Sequence, residues 1–242
     1  MLKELSRKSN PGILPVSPAP RTVLLTGLVI AAGALAAVFV LPAWAPGLSE
    51  SLLGPEPKAY WYLSRASGLV AFALVWLSMV WGLLITSRVA RRWPGVVSAG
   101  DVHQHVSLLG LGFGLFHALI LLGDRYANYS PAQLLIPFAA TAHKPLWVGL
   151  GQVGFYLLGI VALSFYLCRW ISNRGWRALH ILSFGVYLMA LVHGVMSGTD
   201  TSVPWIQAVY WISAGSLLFL TTYRVLVARF SPLQAERRPS TP

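Results

Sequence analysis

Four of the six histidines in this 242-residue chain lie in or at the ends of two long apolar segments. His103 and His117 belong to the first segment, and His180 and His193 belong to the second. Ionisable side chains are costly in a membrane, so they tend to face the interior of a helix bundle and to mark a functional site. Imidazole is also a common metal ligand, which makes these four side chains candidate ligands.

The spacing of the histidines predicts that they lie at two depths. His103 and His117 are 14 residues apart, which in a helix is about 21 Å along the axis with a rotation of only about 40°. His180 and His193 are 13 residues apart, or about 20 Å with a rotation of about 220°. The second pair therefore needs a bend near Gly185, or different approach angles, to reach the same partner helix.

One antiparallel helix separates the two segments, so both run in the same direction through a membrane. We expect His103 and His180 at one level, and His117 and His193 at the other. Two imidazoles fill both axial positions of a haem iron, which leaves no position for oxygen or substrate and suits the haem to electron transfer. The sequence therefore predicts two stacked bis-histidine haem sites.

Other interpretations of the histidines stay open. A histidine in a membrane can simply hydrogen-bond a neighbouring helix. Zinc takes three or four ligands, and no cysteine or acidic residue accompanies the four histidines within the segments. We expect His105 to lie behind the ligands or at the level of the lipid headgroups; alternatively, it replaces His103 as a ligand. We expect His143 to be a solvated loop residue.

The elements that position these residues follow from the composition. Hydrophobic side chains make up 56% of the chain and charged ones 10%, whereas soluble domains carry about 25% charged residues. A membrane-spanning helix needs about 20 apolar residues, and six segments qualify. They are Thr22–Leu41, Trp61–Thr86, Val102–Leu122, Pro145–Cys168, Trp176–Met196 and Pro204–Leu226. We predict an all-α membrane protein with six spans, in which the haem lies between the third and fifth helices.

Three segments make up the predicted domain organisation. Residues 1–21 are a polar N-terminal segment that is not a cleavable signal peptide, residues 22–228 form the six-helix domain, and residues 229–242 are a short disordered tail. The single cysteine, Cys168, excludes an intramolecular disulfide, a cysteine-ligated zinc or iron–sulfur site, and covalent c-type haem attachment.

The net charge of +11 is interpreted as a topology signal. With the N-terminus inside, fourteen of the 18 Lys and Arg residues fall on the inner side, where such residues are enriched in membrane proteins. We therefore expect a multi-pass protein of the cell membrane with both termini in the cytoplasm. No loop is long enough for a basic nucleic-acid-binding domain, so that function is excluded.

The longest loop, Gly123–Lys144, is predicted on the outer side. Its middle, Ser130–Phe138, resembles a short helix lying in the membrane interface. This segment either covers the outer end of the site or is a plain connector.

Three sequence motifs resemble the ferric reductase-like transmembrane domain, over roughly residues 60–230. Its second helix is similar to Trp61–Gly68, its third to Asp101–His103 with His117, and its fifth to Trp176–His180 followed by His193-Gly194. The family includes ferric reductases, NADPH oxidases and the haem-binding membrane subunit of a periplasmic methionine sulfoxide reductase. The resemblance implies a six-helix bundle with haem b, ligated by His103 with His180 and by His117 with His193.

The resemblance also implies an electron-transfer role as an oxidoreductase component. Ferric reductases and oxidases of the family carry a flavin and nicotinamide domain after the last helix, and no GxGxxG in a βαβ context occurs here. We therefore expect a separate flavoprotein reductase or quinol to donate electrons at the inner face, and an outer-side acceptor. Arg65 and Arg177 are expected to pair with propionates of the outer and inner haems, or else to snorkel to lipid headgroups.

Two alternative functions stay open. The first is a single-haem, quinol-linked membrane redox subunit. The second is a non-redox metal or small-solute transporter, although transporters often contain internal repeats, and none is convincing between residues 22–122 and 145–228.

Overall fold

Long apolar segments become helices in lipid because a helix satisfies each backbone N–H and C=O within itself. A computed structural model describes residues 20–40, 43, 59–87, 96–124, 127–141, 143–167 and 170–236. Within these residues the chain is all-helical. Two short helices lie between the third and fourth long helices, a 3₁₀ helix at Leu121–Gly123 and an α-helix at Pro131–Leu135. The six long helices are α1 (Pro20–Phe39), α2 (Ala59–Thr86), α3 (Val96–Ile120), α4 (Pro145–Leu167), α5 (Asn173–Ser197) and α6 (Pro204–Glu236).

Each long helix corresponds to one predicted span, in the same order. All six are long and apolar enough to cross a membrane. Large apolar side chains cover the outside of the bundle, and Trp211 and Leu218 are 77% and 71% exposed. Such a surface is suited to contact with lipid tails. The prediction of an all-α, multi-pass membrane protein is therefore confirmed at this level.

Two helix ends differ from the predicted boundaries by six residues or more. The third helix begins at Val96, six residues before the predicted start, and the sixth continues to Glu236. Residues 229–236 are thus helical where a disordered tail was expected, because adding a residue to an existing helix gains a hydrogen bond without a new nucleation cost. The rest of that tail, 237–242, lies outside the described residues.

Several sequence predictions fall outside the described residues. They are the N-terminal segment 1–19, most of the inner loop between α2 and α3, and the end of the fourth predicted span. Among them are these residues of the charge analysis and the cysteine: Lys3, Arg7, Lys8, Lys58, Arg88, Arg91, Arg92, Arg125, Cys168, Arg169, Arg237 and Arg238.

Helix α2 organises the packing of the bundle. It packs most extensively against α3 and also contacts α5 and α6, while α4 packs against α5 and α1 packs against α3. The core between α2, α4, α5 and α6 contains Phe72, Leu83, Val161, Tyr187 and Tyr210. Over their described lengths, α3 and α5 are not close packing partners, so a slot separates the two histidine-bearing helices.

The bundle has two ends that later paragraphs distinguish. The termini end is where α1 begins and α6 finishes. The loop end is where the 124–144 connection lies. His103 and His180 are near the termini end, and His117 and His193 are near the loop end.

Replacement of Leu83 by alanine tests the packing of the core. Leu83 is 3% exposed, and we expect Leu83→Ala to lower the free energy of unfolding by about 2 kcal/mol, at the low end for a buried leucine. The expected loss of free energy is small because lipid is as apolar as the protein core, so only the packing lost around the new cavity contributes. Unfolding by denaturant in mixed micelles measures it. Leu218→Ala, at a lipid-facing position, is the control, and an equal loss there would contradict this packing.

Candidate functional site

The four histidines of α3 and α5 meet as two pairs across the slot. The ring centroids of His103 and His180 are 5.9 Å apart with planes inclined by 66°. Those of His117 and His193 are 6.2 Å apart with planes inclined by 75°. The pairs predicted from the sequence are thus the pairs that the structure brings together.

The distance between the rings suits a shared metal atom. A bond from a metal to an imidazole nitrogen is about 2 Å long, so two such bonds plus the two ring radii give about 6 Å between centroids. Among the described residues, no group of three or more His, Cys, Asp or Glu side chains could hold a metal ion. Within that part of the chain, each histidine pair therefore has no third side chain of these types beside it.

Hydrogen bonds fix the orientation of three of the four imidazoles. In each case Nδ1 lies within bonding distance of a backbone carbonyl oxygen, which can only accept, so Nδ1 carries the proton. The other nitrogen, Nε2, then keeps the lone pair that binds a metal. The bonds join His103 to Ser78 at 3.0 Å, His117 to Ser64 at 2.7 Å, and His193 to Trp147 at 2.8 Å.

His180 is positioned differently. Its Nδ1 is buried and has no hydrogen-bond partner among the described residues. Its ring stacks on Trp176, one turn earlier in α5, with centroids 5.1 Å apart and planes inclined by 23°. The helix α5 is continuous through Gly185, so both of its histidines reach the slot without a break in the helix.

A cavity of about 290 Å³ surrounds the pair at the loop end. His117 and His193 line it, together with glycines such as Gly110 and Gly114, against which Val75 and Phe155 pack closely. Ligand sites start at about 300 Å³ and are mostly apolar with a few polar groups. This cavity has the size and the lining of such a site.

The short helix Pro131–Leu135 closes one side of this cavity. Ser130 begins it with a capping box, in which its side chain accepts from Gln133 N–H. At its other end, Gln152 of α4 donates to the carbonyls of Gln133 and Leu134 at 2.8 and 2.7 Å, and Tyr156 donates to that of Leu135. Of the two interpretations of this loop, the structure supports the covering segment rather than the plain connector.

Charged and polar groups stand at the edge of the cavity. Arg65 lines it and forms an ion pair with Asp200 of the α5–α6 connection. The guanidinium also lies 5.5 Å from the centroid of the Tyr62 ring. Tyr129 lines the cavity too, and burial, followed by the negative charge of Asp124, raises the pKa of its phenol, so the hydroxyl stays protonated.

Two of the remaining predicted residues lie near the termini end and are exposed. Arg177 lies one turn before His180, at the predicted level. His105 is exposed on α3, with its Nδ1 2.7 Å from the carbonyl of Asp101. The propionate roles of Arg65 and Arg177 stay predictions.

The prediction that His143 is a solvated loop residue is wrong. His143 lines the cavity, its Nε2 lies 3.0 Å from the carbonyl oxygen of Ser197, and its ring meets that of Trp61 edge-on at 5.6 Å. Next to it, Lys144 donates to the carbonyl of Met196 at 2.7 Å. The last carbonyls of a helix lack internal partners, so both residues are drawn from the loop to the end of α5.

Sequence reasoning missed Asp200 and the serines that accompany the histidines. The hydroxyls of Ser64 and Ser78 lie 3.0 and 3.3 Å from Nδ1 of His117 and His103. A signal was available, because these serines are 14 residues apart on α2, the same interval that separates the two histidines of α3. Comparison with protein-family models, curated proteins and solved structures gives no match to this chain.

The ion pair of Arg65 and Asp200 can be tested by a double-mutant cycle. Both side chains are about 30% exposed, so we expect Asp200→Asn to cost about 0.2–1 kcal/mol of unfolding free energy. Arg65→Gln with Asp200→Asn should cost no more than either change alone. Additive losses in micelle unfolding experiments would show that the pair does not stabilise the bundle.

Proposed function

We propose that this chain is a membrane electron-transfer protein with two b-type haems, one held axially by His103 and His180 and one by His117 and His193. Electrons enter at the termini end from a separate flavoprotein reductase or a quinol, and leave at the loop end to an acceptor. The proposal makes the chain an oxidoreductase component that is similar to the ferric reductase-like transmembrane domain.

One observation carries this proposal. Two imidazole pairs, each with one ring from α3 and one from α5, have centroids 5.9 and 6.2 Å apart. A bis-imidazole haem, when bound, supplies one-electron transfer with no open coordination position for oxygen or substrate. The apolar cavity at the loop end provides space beside His117 and His193.

The chain's own groups prepare these sites for a metal. Carbonyl groups of α2 and α4 hold the protons on Nδ1 of His103, His117 and His193, so that Nε2 of each would be the nitrogen that ligates a metal. The short helix Pro131–Leu135 covers one side of the cavity at the loop-end pair. Arg65, at the edge of the same cavity, offers a cation for a propionate even while it is paired with Asp200, because a guanidinium has five donors.

The proposed orientation places both termini in the cytoplasm. Among the described residues, Arg21, Arg174, Arg177, Arg224 and Arg229 lie at the termini end. Arg65 and Lys144 lie at the loop end. Positive residues favour the cytoplasmic side, and the arginines there would also attract an acidic electron donor.

The spectrum of the purified protein is the first test. We expect two low-spin haems per chain in the reduced-minus-oxidised spectrum, and a strongly anisotropic low-spin ferric EPR signal, because steeply inclined imidazole planes produce one. His103→Ala and His180→Ala should remove one haem, and His117→Ala and His193→Ala the other, because each pair is a separate ligand set.

His105→Ala is the matched control, since His105 is exposed on the same helix as His103, and it should keep both haems. One haem in the wild type would favour the single-haem alternative. A haem-free protein after expression with ample haem would overturn the redox proposal.

Electron transfer across the membrane gives an independent measurement. Proteoliposomes with trapped dithionite should reduce external ferricyanide, and either His103→Ala or His117→Ala should lower the rate to that of protein-free liposomes, because both levels are needed to cross the bilayer. His105→Ala should retain the wild-type rate. If His103→Ala also retained it, a two-step path through both pairs would be refuted.

A further inference from the structure

We infer that Gly68, Gly82 and Gly151 are positioning residues, each of which exposes one helix carbonyl to the imidazole that it orients. The inference concerns the histidine geometry, and its consequences for haem binding rest on the proposed function. It assigns a role to three glycines of α2 and α4 that come near the metal-binding rings without ligating anything themselves.

The same geometry occurs three times. His117 bonds to the carbonyl of Ser64 and its ring lies against Gly68. His103 bonds to Ser78 and lies against Gly82, and His193 bonds to Trp147 and lies against Gly151. In every case the glycine stands four residues after the residue whose carbonyl accepts.

This interval has a physical reason. In an α-helix the side chain of a residue covers the carbonyl of the residue four positions earlier, and so serine and threonine hydroxyls bond back to it. Ser67 shows this in the same helix, since its hydroxyl lies 2.7 Å from the carbonyl oxygen of Leu63. The same hydroxyl also lies 3.0 Å from the carbonyl oxygen of Ser64, which His117 shares at the shorter distance of 2.7 Å. A glycine leaves that side of the carbonyl open, and its second lone pair is then available to a neighbouring helix.

The available space agrees with this role. A Cβ added at Gly151 would lie 2.5 Å from Nδ1 of His193, and one at Gly68 would lie 2.9 Å from Nδ1 of His117. One at Gly82 would approach Cε1 of His103 to 3.2 Å. Real Cβ contacts are essentially never under 3.0 Å, so the first two changes must displace the imidazole.

A repeat in the sequence follows the two levels. The motif Ser-x-x-x-Gly occurs on α2 as Ser64–Gly68 and again 14 residues later as Ser78–Gly82. The histidines of α3 are also 14 residues apart, and α2 and α3 are antiparallel. The repeat thus places an open carbonyl opposite each histidine of α3.

His180 has neither the glycine contact nor the carbonyl bond that the other three histidines share. His180 lies against no glycine among those whose surroundings the structure describes, and its Nδ1 has no hydrogen-bond partner there. It stacks on Trp176 instead. At the loop end, carbonyl bonds therefore hold both imidazoles of the pair. At the termini end, such a bond holds only the imidazole of His103.

Glycine-to-alanine variants of the full-length protein test the inference. Loss of a partner that orients a metal ligand weakens metal affinity by about 10- to 100-fold, and we expect this for the loop-end haem in Gly151→Ala and Gly68→Ala. Gly82→Ala should have a smaller effect, confined to the termini-end haem. The matched control is Gly185→Ala on α5, where an added Cβ meets nothing within 4 Å, and it should retain both haems.

A second measurement does not depend on haem. In the reduced protein with ¹⁵N-labelled histidine, three Nδ1–H protons should be protected from exchange, and Gly151→Ala, Gly68→Ala and Gly82→Ala should each expose a different one. Far-UV circular dichroism checks folding, and if Gly151→Ala does not fold, the milder Gly82→Ala decides. Retention of all three protected protons in the variants would overturn the inference, whereas absence of haem with the protons protected would overturn only the proposed function.

Discussion

The hydrogen bond from an imidazole Nδ1–H to a backbone carbonyl of a neighbouring helix is the interaction on which the site depends. A helix in lipid uses its carbonyls internally, but each oxygen has a second lone pair. His103 and His117 use two such oxygens on α2, and His193 uses one on α4. Each bond keeps the proton on Nδ1, fixes the orientation of the imidazole ring, and joins α3 to α2 or α5 to α4.

This interaction explains why a slot separates α3 from α5. The close helix pairs are α2 with α3 and α4 with α5, and they are the pairs that the imidazole bonds join. Across the slot, α3 and α5 approach each other through their histidines instead of through their backbones. Contacts of α2 with α5 and α6, such as the core around Phe72 and Tyr210, hold the α2–α3 pair against the α4–α5 pair. Direct packing of α3 on α5 is therefore not needed.

Local sequence patterns predicted the spans and the two histidine levels, because hydropathy and helical rise are properties of one segment. Contacts between segments were harder to predict. Asp200 looked like an outer-loop acid until the fold brought it to Arg65. His143 looked solvated because it lies in the outer loop, yet the carbonyl of Ser197 at the end of α5 draws it inward. The Ser-x-x-x-Gly repeat becomes meaningful only when α2 is known to face α3.

The difference between the two pairs bears on the direction of electron movement in the proposed function. A hydrogen bond from Nδ1 makes an imidazole a more basic ligand, and a more basic ligand stabilises ferric iron. With two such bonds at the loop end and one at the termini end, this effect alone gives the loop end the lower potential. The positive charge of Arg65 acts in the opposite sense at that end, and Asp200 partly neutralises it. In the proposed function, the carbonyl bonds and the charge of Arg65 would therefore act in opposite senses on the potential of the loop-end haem, and the ion pair with Asp200 would reduce the second effect.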